Sequence, residues 1–169
     1  MKFSVIEGDI AEQQADALVN AAGTSLRMGS GVAGALRRRG GEALNEAAVA
    51  AGPVDLGEVA VTDAYGLDAD IVIHAAAMPH YGDGLATEAS VREATTNALA
   101  AADAHGCRSV VIPVLGTGAA GLAFTTGTRA VCEEVAAYEP SVLEDVAVIA
   151  YGEEDFETLS TVAKTIRSA

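Results

Sequence analysis

The chain has 169 residues, half of them hydrophobic, enough for a sizeable core in one domain of common size. Its 24 acids against 10 bases leave a net charge of -14, which disfavours nonspecific nucleic-acid binding and fits either a very soluble surface or a salty cytosol. No apolar run approaches the ~18 residues of a membrane span, and the opening "MKFSVIEGDI" has one lysine and no small-residue cleavage site, so a cytoplasmic protein is expected.

Residues 2–7 alternate and stop at Gly8, as a strand does, and the apolar run 17–19 predicts a second strand. Residues 32–39 predict a helix whose last turn holds three arginines, favourable at a carboxyl end, with Gly40 and Gly41 as its stop. A second helix spans 42–51 and ends at Gly52 and Pro53. Residues 58–62 alternate and 71–74 are apolar and β-branched, so both predict strands. An alanine-rich helix follows over 87–104, then a buried strand over 108–115 with Pro113 near its end. A helix over 125–137, a strand over 146–151 and a helix over 153–165 complete the series. Strands alternating with helices predict an α/β fold, a three-layer αβα sandwich on a mixed, mostly parallel sheet, in a single domain over 1–169. Ligands on such sheets bind at the carboxyl ends of strands. Interest therefore falls on loops 8–10, 20–31, 74–84, 116–121 and 151–153.

Two of these loops carry the spacing G-x-G-x-x-G: Gly29, Gly31 and Gly34, then Gly116, Gly118 and Gly121. A dinucleotide fingerprint joins a first strand directly to its helix. Gly29 stands well beyond residue 19, and only one strand follows Gly121, so neither copy has that context. The physics survives without the label. Glycine admits positive φ and close backbone approach, and amides at a helix start point outward at the positive end of the dipole. Two such loops at one sheet edge grip adjacent phosphates from both sides, so an acidic chain can bind an anion through its main chain.

The ordered set of motifs resembles the macrodomain family of ADP-ribose-binding modules, nearly end to end. "EGDI" (7–10) is similar to the family's G-D-I, "DALVNAAG" (16–23) to V-N-A-A-N, and "GSGVAGAL" (29–36) to its first phosphate loop. "GEVAVTDAYGL" and "IVIHAAAMP" resemble the next two strands, and "SVVIPVLGTGAAG" (109–121) the second phosphate loop. The resemblance implies a role for each match. Asp9 accepts from the adenine amino group, with the Ile10 amide nearby. Asn20 orients the distal ribose and stands as the candidate catalytic residue. Gly29, Ser30, Gly31 and Val32, with Gly116, Thr117, Gly118, Ala119, Ala120 and Gly121, wrap the diphosphate through amides, Thr117 adding its hydroxyl. Tyr151 either stacks on adenine or fills the core. His74 is expected as a structural histidine and His80 as an exposed one. Cys107 and Cys132 are expected as near-core thiols. No metal and no cofactor is expected.

Departures from the family pattern bear on chemistry. The second Asn of N-A-A-N is Gly23, and the middle glycine of loop one is Ser30. The general-base Asp of the hydrolase branch is Ala33, the aromatic that closes over the distal ribose is Ala120, and the histidine that often precedes loop one in the viral branch is Met28. The resemblance therefore implies ADP-ribose binding with slow hydrolysis of an ADP-ribosyl protein bond, an acetyl ester or a terminal phosphate. A reader without turnover is the alternative, and a nucleotide or RNA-end binder a more distant one.

Overall fold

The computed structural model describes residues 1–80 and 82–169; Tyr81, inside the stretch "PHYGDG", lies outside the described residues. Among the described residues, six strands alternate with five α-helices: β1 (Lys2–Glu7), β2 (Ala17–Gly23), α1 (Gly31–Gly40), α2 (Glu42–Ala51), β3 (Val59–Asp63), β4 (Ile71–Met78), α3 (Glu88–Ala104), β5 (Ser109–Pro113), α4 (Phe124–Ala137), β6 (Asp145–Ala150) and α5 (Glu153–Arg167). The sheet order is β1-β6-β5-β2-β4-β3. β3 is antiparallel to β4 and every other pairing is parallel. The mixed, mostly parallel sandwich expected from the alternation is the fold observed.

Strand side chains alternate between two apolar layers, as a doubly covered sheet requires. Val19, Ile73, Ile112 and Val148 pack on one face with Leu99 of α3, Val131 of α4 and Leu159 of α5. Leu18, Val72, Val111 and Ile149 pack on the other with Leu36 of α1 and Leu44 of α2. Burying each such side chain contributes about 2 kcal/mol. α3 begins with a reciprocal cap: Thr87 Oγ1 accepts from the Ser90 amide, and Ser90 Oγ accepts from the Thr87 amide. Ser90 Oγ also donates to the Ala77 carbonyl at 2.6 Å, tying the helix start to the carboxyl end of β4.

Two strands run further than the sequence predicts. β2 continues past residue 19 to Gly23, and β4 continues past His74 to Met78. The added residues include Ala21, Ala22, Ala75, Ala76 and Ala77, poor strand formers that tertiary burial holds in the ladder. Asn20 and His74 consequently lie inside the sheet, not in the loops that leave it.

Candidate functional site

β1, β6, β5 and β2 are parallel and laterally adjacent, so their carboxyl ends share one edge of the sheet. Four loops emerge there in spatial order: the turn at Gly8 and Asp9, the turn at Tyr151 and Gly152, the loop at 116–121, and the loop from Gly23 to Gly31. The two glycine loops leave neighbouring, hydrogen-bonded strands, which brings them side by side.

Each glycine loop ends in a helical start. Loop one leads into α1, whose cap residue Ser30 makes no side-chain capping bond. Loop two forms a 3-10 turn over Gly118–Ala120, and its cap residue Thr117 likewise makes none. Among the described residues, no protein acceptor takes the amides of Gly29, Ser30, Gly31, Val32, Thr117, Gly118 or Ala119. Helix starts leave such donors pointing outward, where an anion can meet them. α1, the 3-10 turn and α4 carry no acid in their first turns, whereas α5 carries Glu153, Glu154 and Asp155. Main-chain amides thus supply positive potential at this edge, beside the exposed Arg27 of loop one, within a chain of net charge -14.

Backbone conformation explains the glycines. Gly31 and Gly118 have φ of +61° and +67°, and a Cβ on either would meet nothing within 4 Å, so they face open space. Gly116 and Gly121 also have positive φ, but a Cβ there would come within 2.3 Å of Val91 Cγ2 and 2.8 Å of Leu85 Cδ2. Thr117 Oγ1 bonds the Val114 carbonyl at 3.3 Å, which occupies the hydroxyl that the sequence offers to the ligand. Ala120 and Ala33 are buried at the loop bases, as is Met28.

At the far end, Asp9 caps a 3-10 turn over Ile10–Glu12, its Oδ1 accepting from the Ala11 amide at 2.9 Å. Among the described residues its Oδ2 takes no hydrogen bond, so one carboxylate oxygen remains for a ligand. Ile10 is itself buried. Tyr151 is 80% exposed beside that turn, and the core-filling alternative is gone.

Asn20 is the residue that moves most from its expected place. It has no exposed surface, so it cannot touch a ribose as the resemblance implies. Its position inside β2, opposite His74 of β4, is the reason. Thr62 Oγ1 donates to the Asp63 carbonyl and so accepts from His74 Nε2 at 3.0 Å. That leaves His74 Nδ1 to accept from Asn20 Nδ2 at 3.0 Å. Burial pushes the His74 pKa down to about 4, so the ring is neutral and fixed in one tautomer. Asn20 Oδ1 is buried and without a partner among the described residues. His80 is exposed, as expected, and its contacts could not be read from spacing: its amide donates to Thr24 Oγ1 and its Nδ1 lies 3.0 Å from Ser25 Oγ. These bonds tie the exit of β4 to the exit of β2, against Gly23, where a Cβ would lie 3.0 Å from the Pro79 carbonyl.

Two grooves lie away from this edge. One sits at the amino ends of β2, β4 and β5, lined by Asp16, Asp68 and Asp70, whose charge repels a diphosphate. The other mixes apolar Ala47, Ala50 and Val61 with polar Thr62, Asp63 and His105.

Residues 19–131 match the family model described as Macro domain. A protein of Aquifex aeolicus is 37% identical over 162 residues, covering 96% of this chain and 98% of the relative. One of Saccharolobus solfataricus is 35% identical over 170 residues, covering 98% and 94%. Among solved structures, a mutant macrodomain of Oceanobacillus iheyensis with ADPR has a TM-score of 0.88 at 23% identity, covering 98% of this chain and 93% of that one; that likeness is one of fold. The Trypanosoma brucei macrodomain in complex with ADP-ribose has a TM-score of 0.83 at 25% identity, covering 94% and 68%.

Proposed function

Since the chain belongs to the macrodomain family, we propose that it binds ADP-ribose across the carboxyl edge of its sheet, free or attached to protein. The observation that carries this is the row of unengaged amides on two adjacent glycine loops. The ADP-ribose complex of the Trypanosoma brucei macrodomain supports the choice of ligand. Amides of Gly29, Ser30, Gly31 and Val32 receive one side of the diphosphate, and those of Thr117, Gly118 and Ala119 the other. Gly116, Ala120 and Gly121 shape the second loop without donating. The free oxygen of Asp9, the Ile10 amide and the ring of Tyr151 hold adenine. Asn20 acts from inside the sheet, fixing β2 through His74 and not by touching the ribose.

Hydrolysis of a protein ADP-ribosyl bond is the slower part of the proposal. Water attacks the anomeric carbon of the distal ribose, the bond from that carbon to the side-chain oxygen breaks, and the leaving oxygen takes a proton. Ala33 supplies no base for the water, so proximity and orientation remain as the contributions. The same alanine and the burial of Asn20 favour a reader without turnover as the second reading.

Calorimetry with ADP-ribose, AMP and NAD tests the binding claim. ADP-ribose binds tightest if it is right; AMP binding as tightly or more so refutes it. Incubation with mono-ADP-ribosylated protein separates hydrolase from reader. Release over hours at stoichiometric protein supports turnover, and no release leaves the reader.

A further inference from the structure

Loop one is nearly bare of side chains that could hold it. Gly29 and Gly31 contact nothing with a would-be Cβ, and Ser30 makes no capping bond. Its shape must therefore be set at its roots. The downstream root is steric: a Cβ on Gly34 would lie 2.8 Å from the Gly29 carbonyl oxygen, and the Gly34 amide donates to the Ser30 carbonyl at 3.2 Å.

The upstream root is the peptide of Met28, whose side chain is fully buried. Both of its polar groups are held by side chains from elsewhere. The Met28 amide donates to Asn45 Oδ1 at 2.9 Å, and the Met28 carbonyl accepts from Arg37 Nη1 at 2.6 Å. Those two side chains meet on one carboxylate. Arg37 Nε and Nη2 fork onto Glu42 Oε2 and Oε1 at 2.9 and 2.6 Å, and Asn45 Nδ2 reaches Glu42 Oε1 at 3.3 Å. The Arg37 fork, through its hydrogen bonds, holds the Glu42 carboxyl below its usual range. The glycine pair between α1 and α2 makes the arrangement possible. Gly41 takes φ of +98°, and a Cβ on Gly40 would strike Leu44 Cδ2 at 2.6 Å, so the chain turns sharply enough for Arg37 and Glu42 to pair across it.

We propose that Arg37, Glu42 and Asn45 form a clamp that sets the shape of the first glycine loop and thereby the affinity for the diphosphate of the ligand. The proposal rests on the ADP-ribose assignment above. Arg37 serves the site as a positioning residue and not as a cation for phosphate, since its charge is spent on Glu42. Glu42 is the hub: an acid that strengthens the binding of an anion. Preorganising the loop spares the ligand the cost of ordering it.

The sign of one substitution decides the matter. Glu42→Ala removes a negative charge, which by electrostatics alone leaves ADP-ribose binding unchanged or tighter; loss of the clamp instead weakens it, by roughly tenfold. Glu46→Ala, on the same helix and exposed, makes the same change in charge and leaves affinity within about twofold. Amide hydrogen exchange supplies the second readout: in Glu42→Ala, the bonded amides at the two roots of the loop, Met28 and Gly34, exchange faster while the sheet amides keep their wild-type rates. Equal or tighter binding in Glu42→Ala, or unchanged exchange at Met28 and Gly34, overturns the clamp. General acceleration across the sheet also overturns it, by showing a merely structural role. A wild-type protein that fails to bind ADP-ribose sinks the ligand assignment and the affinity claim together, while the exchange readout still decides whether the clamp shapes the loop.

Discussion

The two glycine loops perform one task with opposite supports. Loop one is open on its outer side, and its upstream root is tied by polar groups: Asn45 and Arg37 on the Met28 peptide, with the neutral His74 ring behind β2. Loop two is wedged by apolar neighbours: Val91 and Ala86 against Gly116, Leu85 against Gly121, and Thr117 Cγ2 at 2.6 Å from where a Cβ on Gly127 would stand. Two glycine loops of the same spacing therefore respond to different insults. Loop one is sensitive to charge at its upstream root and to pH in the strands behind it, and loop two to volume.

Gly116→Val is the largest way to break the contrast. The added atoms meet Val91 at 2.3 Å in a backbone with φ of +79°, so strain and overpacking together cost about 4 kcal/mol in denaturant unfolding. A near-wild-type midpoint would show that loop two is not wedged. The next effect is pH dependence in β2 and β4, the strands behind loop one. The His74 pKa is lowered in the folded chain, to about 4 from 6.5. Protonation thus favours the unfolded chain, and stability is lost as pH falls from about 6.5 toward 4, by up to roughly 3 kcal/mol. His74→Gln flattens this window; an unchanged profile in that variant removes His74 as its source.

Gly118→Val sharpens the comparison within loop two. Its φ of +67° costs about 1–2 kcal/mol of stability, but no neighbour is struck within 4 Å. Binding should nonetheless fall more than about 100-fold, or 2.7 kcal/mol, because the side chain enters the space of the diphosphate; retained affinity in calorimetry would take loop two out of the site. Asp9→Ala should weaken ADP-ribose binding by roughly 1–3 kcal/mol, the scale for an unpaired polar partner, and unchanged affinity would refute the adenine assignment. The smallest effect is Gly29→Ala. With nothing within 4 Å and no positive φ at that position, thermal stability should move by under about 0.5 kcal/mol; a large drop would show loop one to be packed after all.

Much of this molecule is legible in its sequence, for a physical reason. Apolar periodicity and helix stops mark the strand-helix alternation, and the glycine spacings stand at the exits of two strands. What escaped was context that local pattern does not encode. Asn20 follows a short apolar run and precedes alanines, so it reads as a loop residue, and His74 reads as a strand end, yet burial between two helical layers carries both strands on through the alanines. Arg37 reads only as a helix-end cation. Its fork onto Glu42 exists because Gly40 and Gly41 fold α2 back beside α1, a tertiary event with no signature in spacing.

The central claim is that main-chain amides of both loops, not cationic side chains, receive the diphosphate. A titration of isotope-labelled protein with ADP-ribose, followed by amide NMR, tests it most directly. The largest shifts should fall on Gly29, Ser30, Gly31 and Val32 together with Thr117, Gly118 and Ala119. Shifts confined to one loop, or centred on the groove of Asp16, Asp68 and Asp70, would contradict it.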